Sequence, residues 1–261
     1  MIRIILIALA ALLASTAWAG RPCEELKLTP ENMRKALTLA ERTRNTLEES
    51  GGKVALVARV GKDLSRYKLR YSHLGYALRD HPQGRWLVLH QLNQCGTADS
   101  GIFMEGLGNF FLDDMFAYET AILVPGEETQ QRLVSVLKSA KSSQFHEVRY
   151  NMLAYAYSPR YQNSNQWALE LFAAATGGDV AIQTRESAQA WLKAARYNPT
   201  TIQLDALTRL GARMFRANVA FDDHPLDRRM AGQIDTVTVE SVYRFIEQRD
   251  PQHRKIHLQL D

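Results

Sequence analysis

The chain has 261 residues, 46% of them apolar, with 32 Lys and Arg against 28 Asp and Glu, for a net charge of +4. That length buries a sizeable core and fits one domain, or one domain with an appendage. A charge this close to balance, with no basic stripe of interleaved aromatics, argues against nucleic acid as a partner.

Residues 1–19 read as a signal peptide. Arg3 supplies the positive start, Ile4 to Leu13 the apolar run, and Ala17-Trp18-Ala19 the small-residue cleavage pattern. The apolar run is too short for a stable span, and no later stretch approaches the ~20 apolar residues a membrane helix needs. Cleavage after Ala19 leaves 31 basic against 28 acidic side chains, a net +3. The expected destination is the periplasm or the exterior. In such an oxidising compartment Cys23 and Cys95 are expected to pair.

Thr29-Pro30-Glu31 opens a helix, with threonine as cap, proline in the first turn and glutamate at the positive end of the dipole. Met33, Leu37, Ala40 and Leu47 form its expected apolar stripe, and Gly51-Gly52 ends it. Three strand patterns follow: Val54 to Val60, nearly all apolar and therefore central; Leu69 to Leu78; and Arg85 to Leu92. Asp80-His81-Pro82-Gln83-Gly84 joins the last two as a hairpin. On the second strand His73 shares a face with Gly75 and Ala77, which leaves room beside the ring. On the third, His90 alternates with Trp86 and Val88.

Asn93 to Asp114 is a long Gly-rich connection with an aromatic segment, Phe110-Phe111. Such a loop covers a site or hides short elements. Thr120 to Val124 is a fourth strand, Glu127 to Lys141 a helix, and Phe145 to Tyr150 a short strand. Then comes Asn163-Ser164-Asn165-Gln166-Trp167 at the head of an apolar helix. Asn163 and Gln166 stand in the relation of a capping box. Trp167, Leu171 and Ala174 form the buried stripe, and Gly177-Gly178 the stop. Arg185 to Arg196 and Val239 to Gln248 are further helices.

Ser164 at a helix N-terminus is a placement that suits a nucleophile, because free N–H groups there stabilise developing negative charge. His73 is the natural base and His90 the orienting group, with Asn93 and Gln91 as weaker candidates. Asn163 and Asn165 would shape the loop, and Tyr71 is a candidate binding residue. A serine in that position is also an ordinary cap, and a strand histidine an ordinary hydrogen-bonded core residue. Asp222, Asp223, His224 and Asp227 read as a solvated turn rather than a metal site, and Gly106-Leu107-Gly108 lacks the lysine and surroundings of a phosphate loop. No cofactor is implied.

Tyr71-Ser72-His73-Leu74-Gly75-Tyr76 resembles the histidine strand of circularly permuted papain-like hydrolases of the NlpC and lecithin–retinol acyltransferase type. In those families the histidine strand comes first, a polar orienting residue second, and the nucleophile later, at the head of an apolar helix. His73, His90 and Ser164 stand in that order. The chain departs from the pattern in carrying serine where those families carry cysteine. Most of the mature chain also resembles a family of secreted bacterial proteins, domain of unknown function 2145. That resemblance rests on Val57-Ala58-Arg59-Val60-Gly61-Lys62-Asp63-Leu64, the His73 strand, the Ser164 helix and Phe221-Asp222-Asp223-His224-Pro225. The resemblances imply an α+β fold, an antiparallel sheet with packed helices of permuted papain-like type. Its core would span residues 20–180, with residues 181–261 a helical extension packed on the same domain. The implied activity is a hydrolase or acyltransferase acting on an amide, ester or thioester of cell-wall peptide or lipid, with Ser164, His73 and His90 at its centre. The alternative is a non-catalytic ligand-binding or envelope-scaffold protein.

Overall fold

A computed structural model describes residues 28–260 except Asp114 and Asp179. The expected signal peptide and Cys23 lie outside the described residues. Among them the fold is α+β, built on a six-stranded antiparallel sheet.

The strands are β1 (Val54–Val60), β2 (His73–His81), β3 (Gly84–Asn93), β4 (Ser100–Gly106), β5 (Ala117–Val124) and β8 (Arg254–Gln259), in the order β4-β3-β2-β1-β5-β8. β6 (Thr200–Gln203) and β7 (Gln233–Thr236) pair separately. β1 is central and wholly buried, which explains why six of its seven residues are apolar: both faces of the sheet are covered.

On one face, Leu56, Ala58, Leu74, Tyr76 and Leu123 pack against α5 (Ser164–Thr176) and α9 (Val239–Arg249). Tyr76 donates to Ala168 O at 2.7 Å, and Tyr243 donates to Ala121 O at 2.9 Å, so each helix is pinned to the sheet by a phenol. On the other face, Ala55, Val57, Ala77, Val88 and Ile122 meet α1 (Pro30–Glu49) and α2 (Leu107–Leu112). The alternation read along β2 is therefore real: Leu74, Tyr76 and Leu78 enter one core and Ala77 the other.

Several expectations need correction. The buried stripe of α1 is Ala36, Leu39, Ala40, Thr43 and Leu47, while Met33 and Leu37 are exposed. Small side chains at 36, 40 and 43 let the helix sit close to its neighbours, and ranking by apolar bulk misses them. The connection after β3 hides β4 and α2, whose alternation is broken by Gly101, Gly106 and Gly108. The helix begun at Glu127 divides into α3 (Glu127–Leu137) and α4 (Lys141–Gln144). Phe145 to Tyr150 forms no strand: Arg149 and Tyr150 make isolated bridges to Asp99 and Gln162. After α6 (Arg185–Ala194), the final residues are not helical only, because β8 extends the main sheet beyond β5.

Among the described residues no cysteine is free, and no helix is long and apolar enough to cross a membrane.

Candidate functional site

α5 is apolar nearly all round and buried from Ser164 to Ala173, so its position is fixed by packing on both sides. Asn163 caps it. Its Oδ1 accepts from Gln166 N at 2.8 Å, and its Nδ2 donates to Thr236 Oγ1 at 3.0 Å and to Val237 O at 3.3 Å. The cap thus also ties the helix head to the end of β7. Gln166 turns its amide to Tyr155 O and Ala156 O instead of closing a reciprocal box. A second anchor lies nearly two turns in. Glu170, fully buried, accepts from Arg185 Nε at 2.8 Å, Gln162 Nε2 at 2.7 Å and Gln189 Nε2 at 2.7 Å. Arg185 also donates to Pro159 O and Tyr161 O, locking the segment that leads into Ser164.

Ser164 is the first helical residue, so its own N–H and that of Asn165 have no partner within the helix ladder. Its Oγ lies 3.1 Å from His73 Nδ1. His73 Nε2 lies 2.8 Å from His90 Nδ1. His90 Nε2 in turn lies 3.1 Å from Glu105 Oε1, close but poorly aligned for a hydrogen bond. The sequence therefore brings Ser164, His73 and His90 together across 91 and 17 residues of separation.

The direction of the chain follows from its end. The Glu105 carboxylate beside Nε2 electrostatically favours the tautomer of His90 with its proton on Nε2 and its Nδ1 accepting. In that tautomer His73 donates from Nε2, which leaves Nδ1 to accept the Ser164 hydroxyl proton.

Two residues that sequence reasoning gave no role surround this row. Arg59, opposite His73 in the β1–β2 register, is buried and paired with Asp113 and Phe110 O. Its guanidinium stacks 4.7 Å from the Phe110 ring centre. Phe110 also covers both imidazoles, at 5.9 Å from His73 and 5.4 Å from His90. Burial, then the Arg59 charge, then His90 hold His73 well below the ordinary histidine range. Burial also lowers His90, against the opposing pull of Glu105. Both rings are therefore neutral near pH 7.

The signals for the missed residues were present. Arg59 is the one charge in the seven-residue β1, and Glu105 the one acid in β4.

Other sequence candidates go elsewhere. Asn165 is buried beside Ser164 and its Oδ1 has no partner. Tyr71 turns its hydroxyl to Glu119 Oε1 at 2.8 Å and His257 Nδ1 at 3.0 Å, clipping β8 to the sheet. Gln91 bonds Ser100 Oγ, and Asn93 bonds Thr97 O and Asp99 O, so neither orients His73. Asp223 and His224 pair with each other at 2.9 Å, and Asp223 also accepts from Tyr155 N.

Searches of curated proteins and of solved structures give no match. A family model described as an uncharacterized protein conserved in bacteria (DUF2145) matches residues 46–246, a span that holds every member of the row from His73 to Ser164, and the chain belongs to that family.

Proposed function

We propose that the protein is a periplasmic hydrolase or acyltransferase of papain-like type that uses Ser164 as nucleophile on an amide, ester or thioester. The single observation that carries this reading is the continuous row from Ser164 Oγ through His73 to His90, at 3.1 Å and 2.8 Å. His73 Nδ1 takes the hydroxyl proton as Ser164 attacks the carbonyl carbon. His90, backed by Glu105, orients the ring and stabilises the imidazolium that forms. The free N–H groups at the head of α5 are suited to receive the oxyanion. His73 then returns the proton to the leaving group, and water or an acyl acceptor releases the acyl-serine.

The electrostatics suit serine. A cysteine site works through a thiolate–imidazolium pair, whereas a hydroxyl needs a neutral base. Burial and Arg59 keep His73 neutral in the resting state. The order His73, His90, Ser164 on an antiparallel sheet supports the papain-like assignment, with cell-wall peptide or lipid as substrate class.

A second reading, a non-catalytic binding protein on the same fold, is favoured by the near-closure of the site: Ser164 is 5% exposed and His73 8%. A fluorophosphonate probe separates the two. Labelling of the wild type that vanishes in Ser164→Ala, with an unchanged melting curve, supports the enzyme. A folded wild type that stays unlabelled by small and long-chain probes alike supports the binding protein.

A further inference from the structure

Helix α7 (Ala206–Phe215) is held by its cap, Asp205 Oδ1 accepting from Thr208 N at 2.8 Å, yet none of its ten residues is buried. Leu207, Leu210 and Met214 fall on one helical face with Phe215 beside them, and all four are exposed, Leu207 at 80% and Phe215 at 71%. The helix rests on the small core of Ile202, Leu204, Val219, Phe221 and Ile234 through Ala212. It therefore turns its small side outward-in and its large apolar side to solvent, the reverse of an ordinary surface helix. Helix α8 (Leu226–Met230) adds exposed Leu226 and Met230. The turn after α8 abuts α7: a β-carbon on Gly232 would stand 3.1 Å from Arg209 Nη1.

The charges around this face are mostly basic, with Asp227 an exposed acid on α8. α7 contains Arg209 and Arg213 and is followed by Arg216, with no acid from residue 206 to 217. Arg213 and Arg216 are exposed. Arg229 lies on α8, whose Arg228 is committed to Asp235. Asp205 and Asp227 are the nearby acids, the first of them engaged as the cap.

We propose that the α7–α8 face docks the protein on an anionic phospholipid surface. Leu207, Leu210, Met214 and Phe215 enter the acyl boundary, and Arg213, Arg216 and Arg229 meet the headgroup phosphates. A short helix with large apolar residues on one side and arginines flanking them is built to lie in that interface. A large exposed apolar patch marks an interaction site. A second copy is a poor occupant, because a two-fold contact would set the α7 arginines against themselves.

The docking is independent of the chemistry assigned to Ser164. The small core under α7 also takes Tyr67, Leu69 and Leu153, and Asn163 bonds Thr236 at the end of β7.

The test is co-sedimentation of the full mature chain with vesicles of phosphatidylethanolamine and phosphatidylglycerol, against pure phosphatidylcholine. Binding to the anionic vesicles that weakens with salt is expected. Arg213→Glu/Arg216→Glu should lose more than tenfold in partitioning, since each arginine near an anionic surface contributes roughly fivefold. Leu207→Asp/Leu210→Asp should abolish binding. Both sites are exposed, so melting curves should match the wild type. Ser164→Ala should bind vesicles normally, so failure of docking and failure of the catalytic reading remain separate results. No binding, equal binding to both vesicle types, or binding untouched in folded Leu207→Asp/Leu210→Asp overturns the proposal. So does a concentration-dependent dimer in sedimentation velocity that the same variant abolishes, because the face then belongs to a second copy.

Discussion

A β-carbon at Gly75 would stand 2.6 Å from Val88 Cγ1 and 3.0 Å from His90 Cβ. Gly75 is thus what allows β3 to approach β2 closely enough for His73 Nε2 and His90 Nδ1 to meet at 2.8 Å. Both obstructing atoms belong to a packed interior strand and have little room to retreat. Gly75→Ala is expected to destabilise the protein by about 1–3 kcal/mol, the range for overpacking a core. It should also slow fluorophosphonate labelling of Ser164 by loosening the orienting contact. Urea denaturation and labelling rates check the two effects, and a variant with wild-type values for both contradicts this account of the glycine. The same scale explains why the neutral state of His73 is secure: its ring shares the interior with Arg59 and lies under Phe110.

Among the elements, α5 matters most, since it presents Ser164 at its first residue and Asn163 at its cap. What fixes its rotation is the ion pair of Glu170 with Arg185, both buried, together with Gln162 and Gln189. Removing one partner of a buried pair strands the other charge. Glu170→Gln is therefore expected to cost about 3–5 kcal/mol in stability, read by chemical denaturation. A loss under about 1 kcal/mol, within the range of an exposed pair, would mean that the segment from Pro159 to Tyr161 is held by other contacts. The helix was legible from Asn163, the apolar run and Gly177-Gly178, whereas its ion pair was not. Glu170 and Arg185 are fifteen residues apart and on different helices, and only the packing of α5 on α6 sets them face to face.

For the whole molecule, three histidines are kept neutral by burial: His73, His90 and His146 all have lowered proton affinity. In the unfolded chain each takes up a proton near its ordinary value of about 6.5, while the folded protein resists until lower pH. Their contribution to stability is complete above that value and declines as the pH falls below it toward the folded-state values. The urea midpoint should therefore drop between about pH 7.5 and pH 5.5. A flat midpoint across that window would show that the three rings are not held neutral in the folded protein.

Sequence alone determined what depends on local chemistry. The caps at Thr29 and Asn163, the apolar centre of β1, the hairpin at Pro82-Gln83, and the two faces of β2 each follow from a few neighbouring residues. Ser164, His73 and His90 were legible as candidates through their order along the chain, which resembles that of permuted papain-like hydrolases, because each by itself also reads as an ordinary cap or core residue. Tertiary structure decided what depends on partners far along the chain. Glu105 and Arg59 enter the site only through strand register, Phe110 only through a helix hidden among glycines, and β8 joins the sheet only after the rest of the chain has wrapped round it. Periodicity reports which side of an element is apolar. It carries no information about which other element will cover that side, and the exposed Met33 and Leu37 of α1, beside its buried Leu39 and Leu47, show how far that choice belongs to packing.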